Sequence, residues 1–218
     1  MVERSLHANV KTAKKRSNSS QRWLARQLND PYVKAAVAQG YRSRAAFKLV
    51  ELDEKFGLLR PGLRVVDLGA APGGWTQAAL RVLGERGRVV GLDLLPMEPI
   101  SGATLLEGDF QDDQVEQAVL AALDGQADLV LSDMAPNTTG HANTDHLRIM
   151  VLAELALDFA LKVLAPGGGF VSKLFQGGSE KEMLERLRRH FTKVAHAKPP
   201  ASRKESSELY VVATGFRA

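Results

Sequence analysis

The chain has 218 residues, of which 44% are hydrophobic and 25% charged, with a formal net charge of +4, proportions ordinary for a soluble globular protein with one substantial core. It has no cysteine, which excludes disulfides, thiolate zinc sites, iron–sulfur clusters and any cysteine nucleophile. No apolar run approaches the roughly 20 residues that cross a bilayer and the opening MVERSLHANVKTAKK holds no signal core, so a cytoplasmic protein without a membrane partner is expected.

The charge is unevenly placed. Residues 1–30 carry Arg4, Lys11, Lys14, Lys15, Arg16, Arg22 and Arg26 against only Glu3 and Asp30. Such a basic, apolar-poor arm reads as a flexible extension that phosphates would neutralise, and residues 31–218 read as one catalytic domain. Lys48 falls in a helix before the first strand, one turn beyond Arg44; like charges at that spacing call for an anionic partner. Strands are predicted at Leu63–Leu68, Gly87–Leu92, Ala103–Leu106, Ala127–Ser132 and Gly169–Leu174, with helices at Gln114–Leu123 and Thr144–Leu164. Short apolar strands separated by helices imply an α/β protein with a parallel sheet. SEKEMLERLRRHF adds a helix with capping-box spacing at Ser179 and Glu182. Two last strands, Thr192–Ala197 and Leu209–Thr214, leave no room for a crossover and are expected to pair antiparallel.

The first strand runs into VVDLGAAPGGW, residues 65–75. Asp67 closes the strand, and Gly69 to Gly74 turn into a helix beginning near Trp75, where bare backbone and free N–H groups can receive a nucleotide-like ligand. The dinucleotide fingerprint would need glycine where Ala71 stands. An adenosine-type ligand without a pyrophosphate remains, with Asp93 at the end of the second strand for its ribose hydroxyls and Asp109, after the third, for its adenine.

YRSRAAFKL, VVDLGAAPGGW, GLDLLPM, SDMAPNTTG, FVSKLFQG and SSELYVVATG, spread in order from Tyr41 to Gly215, together resemble the FtsJ/RrmJ family of bacterial ribosomal RNA methyltransferases. That resemblance implies a Rossmann-like S-adenosylmethionine-dependent methyltransferase fold: a mostly parallel seven-stranded sheet with an antiparallel last strand and helices on both faces. It implies S-adenosyl-L-methionine as methyl donor, S-adenosyl-L-homocysteine as product, and no metal. The acceptor would be a uridine 2′-hydroxyl in the A loop of 23S ribosomal RNA, within the 50S subunit or its precursor, and the enzyme a monomer. The family's tetrad falls on Lys48, Asp133, Lys173 and Glu208, with Lys173 as proton acceptor. Its cofactor contacts fall on Gly73, Trp75, Asp93, Asp109 and Asp133.

The strand order supports the same grouping. Asp133 ends the fourth strand, Lys173 nears the end of the fifth, and an antiparallel last strand would bring Glu208 to the same edge. Each has an ordinary alternative: Lys173 reaching water, Asp133 capping a turn, Glu208 pairing with Arg203 or Lys204. The five histidines, His141 and His146 among them, lack zinc-binding spacing and read as surface or loop residues. RNA contact falls to Arg42, Arg44, Lys198, Arg203 and Lys204. An ordinary lysine, with a pKa of about 10.4, is charged at neutral pH. Lys173 could act neutral, as base, or charged, stabilising the developing alkoxide; the second cation at Lys48 favours the base. Other readings are a methyltransferase acting on tRNA or an mRNA cap, one acting on small molecules, or a non-catalytic ribosome-assembly protein. An amino-methyltransferase is disfavoured, because Asp133-Met134-Ala135-Pro136 replaces its Asp/Asn-Pro-Pro-aromatic signature.

Overall fold

A computed structural model describes residues 27–136, 140–176 and 181–218; most of the basic arm and Ser179 of the expected capping box lie outside them. Strands β1 (Arg64–Leu68), β2 (Arg88–Asp93), β3 (Ala103–Glu107), β4 (Ala127–Ser132), β5 (Leu164–Phe175), β6 (Phe191–Ala197) and β7 (Glu208–Phe216) form one seven-stranded sheet in the order β3-β2-β1-β4-β5-β7-β6. β1 to β5 are parallel, and β7 runs antiparallel to both β5 and β6. The helices are α1 (Pro31–Ala38), α2 (Ala46–Phe56), α3 (Gly74–Leu83), α4 (Asp113–Leu123), α5 (Ala142–Val163) and α6 (Lys181–His190).

Successive strand residues point to opposite faces, and both faces are covered, so the central strands are apolar on both sides. Val66, Val90, Val130 and Phe170 pack on one face with Val119, Leu123, Leu157 and Met183 from α4, α5 and α6. Val65, Val89, Leu129 and Val171 pack on the other with Leu49, Leu52, Trp75 and Leu83 from α2 and α3. Among the described residues no helix is long and apolar enough to cross a membrane.

Two features depart from the expected elements. β5 begins at Leu164 rather than Gly169, because Leu164 pairs with Ala127 before an irregularity lets the ladder resume at Leu129 and Gly169. α1 was not anticipated: eight residues are too few to show a clear apolar period, and this helix is set by its start, where Asp30 accepts a hydrogen bond from the Tyr32 N–H and Pro31 opens the first turn.

Candidate active site

Four neighbouring parallel strands each deliver an acid to the carboxyl edge of the sheet: Asp109 just beyond β3, Asp93 ending β2, Asp67 in β1 and Asp133 just beyond β4. Asp93 is fixed by two backbone donors, Ala71 N–H to Oδ2 and Leu95 N–H to Oδ1, both at 2.9 Å. It therefore ties the glycine turn to the second strand while keeping lone pairs for a ligand. Asp109 is exposed and accepts from the Gln111 N–H at 2.9 Å.

Asp67 is buried, and its Oδ2 accepts from Thr76 Oγ1 at 2.7 Å while Oδ1 makes no hydrogen bond. Burial, opposed by the Thr76 hydrogen bond and reinforced by the Asp133 charge, pushes this carboxyl up to about 7. A folded-state pKa above the unfolded value stabilises the fold fully at pH below about 4, and that stabilisation is lost as pH rises through about 7. Between pH 6 and pH 8 the protein should thus lose about 1 kcal/mol that Asp67→Asn does not lose. Urea midpoints at the two pH values check this, and equal slopes in both proteins would refute it.

The glycine turn serves the chain itself. Gly69 (φ 72°) and Gly73 (φ 108°) are in the left-handed region, where a side chain is strained. A Cβ on Gly69 would overlap the Met134 side chain, one on Gly73 would lie 2.5 Å from Ile100 Cδ1, and one on Gly74 would overlap Ser43 Oγ. Close packing of the segments carrying Arg42, Ser43, Ile100 and Met134 is thus a reason for bare backbone here beside the expected room for a ligand. α3 still starts without a side-chain cap or an acid in its first turn, leaving backbone N–H groups for an acceptor. The Trp75 side chain is core: its Nε1–H donates to Ala45 O at 2.7 Å and its ring lies 5.7 Å from that of Tyr210. Gly73 and Trp75 can meet a ligand only through backbone.

Lys48, Asp133, Lys173 and Glu208 come together. Lys173 Nζ lies 2.7 Å from Asp133 Oδ1 and donates to the Asp133 carbonyl at 2.8 Å. Lys48 Nζ lies 3.1 Å from Glu208 Oε1, 3.6 Å from Asp133 Oδ1, and donates to Tyr210 Oη at 3.0 Å. Both lysines are buried. Burial would raise the Asp133 pKa, but the charges of Lys173 and then Lys48, with hydrogen bonds from Lys173 and Tyr210, outweigh it and hold the carboxyl below its ordinary value. With both lysines charged, the two cations and two anions cancel.

Tyr210 is the member that sequence reasoning missed. Its Oη donates to Asp133 Oδ1 at 2.5 Å, bridging Lys48 and Asp133. Burial, and then the charges of Asp133 and Glu208, push its pKa well above the ordinary value, so it stays a neutral donor. Lys48 Nζ is 5.6 Å from the Tyr210 ring centroid and so lies off the hydroxyl rim, not over the face. The signal was spacing: Tyr210 follows Glu208 by two, shares its face of β7 and stands opposite Lys173 in register.

Three expected RNA contacts have other work. Arg42 donates to the carbonyls of Pro72, Glu98 and Pro99, and Lys198 Nζ to those of Lys204 and Ser206; both are internal staples. Arg44 precedes α2, with Nη2 donating to Ala201 O at 2.6 Å and Nε 3.1 Å from Asp30 Oδ2. Its anionic partner is thus Asp30, while that of Lys48 is Glu208, and Glu208 does not pair with Arg203 or Lys204. Nor is His146 a loop residue: it lies in α5 with both ring nitrogens buried and without a hydrogen bond.

The family described as FtsJ-like methyltransferase matches residues 41–216 of the chain. The chain is 66% identical over 210 residues to Ribosomal RNA large subunit methyltransferase E of Granulibacter bethesdensis, covering 95% of this chain and 90% of that one. Its counterpart of the same name from Acidiphilium cryptum is 68% identical over 210 residues, covering 95% and 92%. A crystal structure described as a ribosomal RNA methyltransferase from Plasmodium falciparum superposes with a TM-score of 0.73 at 30% identity, covering 81% of this chain and 98% of that one.

Proposed function

Because the chain belongs to the FtsJ-like methyltransferase family, we propose that it transfers a methyl group from S-adenosyl-L-methionine to the 2′-hydroxyl of a uridine in the A loop of 23S ribosomal RNA. It acts as a monomer in the cytoplasm, on the 50S subunit or its precursor. The names of its relatives support large-subunit ribosomal RNA as the substrate class. The observation that carries the reading is the meeting of Lys48, Asp133, Lys173 and Glu208 at the end of the row of acids.

The residues fit the cofactor. A cationic ligand with a ribose diol suits a row of carboxylates that includes an unpartnered buried oxygen at Asp67. Asp93 would take the ribose hydroxyls, Asp109 the adenine, Gly73 and Trp75 would offer backbone, and Asp133 would close the site. The bound cofactor supplies an electrophilic sulfonium methyl. The protein has only to orient the acceptor oxygen and manage one proton. With Lys173 as the neutral amine, Asp133 Oδ1 and the Asp133 carbonyl take its two N–H bonds and its lone pair faces the acceptor hydroxyl, whose proton Nζ takes as the oxygen takes the methyl. Lys48, held by Glu208 and Tyr210, keeps a second cation beside the reacting oxygen. Residues 1–30 serve as a basic arm on the RNA, and residues 31–218 as the catalytic domain.

23S RNA from cells lacking this protein should gain one ribose methyl when incubated with it and the cofactor; RNA left unmodified would reject the reading. Asp93→Ala should weaken cofactor binding by about 1 to 3 kcal/mol, the range for hydrogen bonds to a charged group, with the fold intact. Calorimetry showing unchanged affinity would reject that role.

A further inference from the structure

A pocket of about 350 Å³, lined by Arg44, Ala45, Lys48, Arg203, Ser206 and Glu208 among others, opens directly beside the tetrad. One wall is the start of α2; the other is the connection from β6 to β7, residues 198–207. That connection is built to keep its shape. Lys198 grips the carbonyls of Lys204 and Ser206, Arg44 grips that of Ala201, the Ala201 N–H donates to Glu51, and the Ser206 N–H donates to Arg203 O.

Within this wall the cations are not equivalent. Lys48 is matched by Glu208 and Arg44 by Asp30. Arg203, with its side chain 31% exposed, has only the already engaged Asp30 carboxylate, at 3.9 Å. Among the described residues its five-donor guanidinium makes no hydrogen bond. A guanidinium held at a pocket wall without a hydrogen-bond acceptor suits an oxyanion. No aromatic ring lines the pocket, so it offers no platform for a base.

Resting on the RNA 2′-O-methyltransferase reading, we propose that this pocket is a phosphate subsite: it takes the phosphodiester next to the ribose held at the tetrad, and Arg203 is its ligand. The tetrad has no net positive charge with which to attract a polyanion, so the subsite supplies the grip that sets which ribose of the strand stands at Lys173. Glu205, also lining the pocket, is the carboxylate that opposes the phosphate and weakens the hold.

The test is a cycle between protein and RNA. Acceptor oligonucleotides each carrying one neutral methylphosphonate near the target ribose are methylated by the wild type and by Arg203→Ala. Arg203→Ala should raise KM for RNA about tenfold, the size of one charge-assisted hydrogen bond, with the loss falling on KM rather than kcat. Arg203→Lys, which keeps the charge but not the fork, should fall between, and Glu205→Gln should lower KM. One methylphosphonate position should hurt the wild type and leave Arg203→Ala unaffected. If the wild type methylates RNA but no position behaves this way, the subsite is overturned. If the wild type methylates no RNA, the function beneath the proposal fails and the subsite falls with it.

Discussion

Replacing Lys173 by alanine should slow single-turnover methyl transfer by about a hundredfold to ten-thousandfold, the contribution of a positioned acid–base group, while cofactor and RNA still bind. The expectation comes from position: Lys173 Nζ is buried, has two of its contacts on Asp133, and has no other acid within ion-pair reach among the described residues. Arginine at this site separates the two ways the residue can act. A base must give up a proton before it takes one, and arginine stays charged in proteins, so Lys173→Arg should be as slow as alanine and the wild-type rate should climb with pH. A flat pH profile with substantial activity in Lys173→Arg would instead assign the residue to stabilising charge on the oxygen.

Asp133→Ala should be costly twice over. Among the described residues it leaves buried Lys48 with Glu208 as its only carboxylate and buried Lys173 with none, and strands the Tyr210 hydroxyl proton. Breaking a buried ion pair by removing one partner costs about 3 to 5 kcal/mol, so the urea midpoint should fall steeply, and transfer should fall at least as far as in Lys173→Ala. Asp133→Asn keeps the shape and a hydrogen-bond acceptor; it should recover part of the stability and little of the activity, because the charge that fixes Lys173 is gone. Full stability in Asp133→Ala would show that the two lysines do not need this anion.

The strands were legible because each sits where a simple rule applies, whereas the four tetrad residues were picked out by the family resemblance and only grouped by the strand order. Val65, Val66, Val89 and Val90 form runs that only a strand covered on both faces explains, and Asp133 and Lys173 end such runs. Other features depend on which distant segments meet. Tyr210 looks like one more core aromatic until its register opposite Lys173 is known. Gly69 and Gly73 announce a bare backbone, but that Met134 and Ile100 occupy the space is set by loops whose paths no periodicity gives. Arg42 illustrates the same limit: a cation among cations reads as a phosphate ligand, and only the fold shows its guanidinium on three carbonyls from two neighbouring loops.

β7, the one reversed strand, lies between β5 and β6 although it is the last made. Until residues 208–216 leave the ribosome, β6 has no neighbour to pair with and the edge of β5 stays open. Lys48, synthesised 160 residues before its partner Glu208, waits for the whole of that time without its carboxylate. The Lys48–Glu208 and Tyr210–Asp133 contacts therefore cannot form before β7 takes its place between β5 and β6. A chain lacking β7 would lack Glu208 and Tyr210 and would expose the edges of β5 and β6, which is an aggregation hazard.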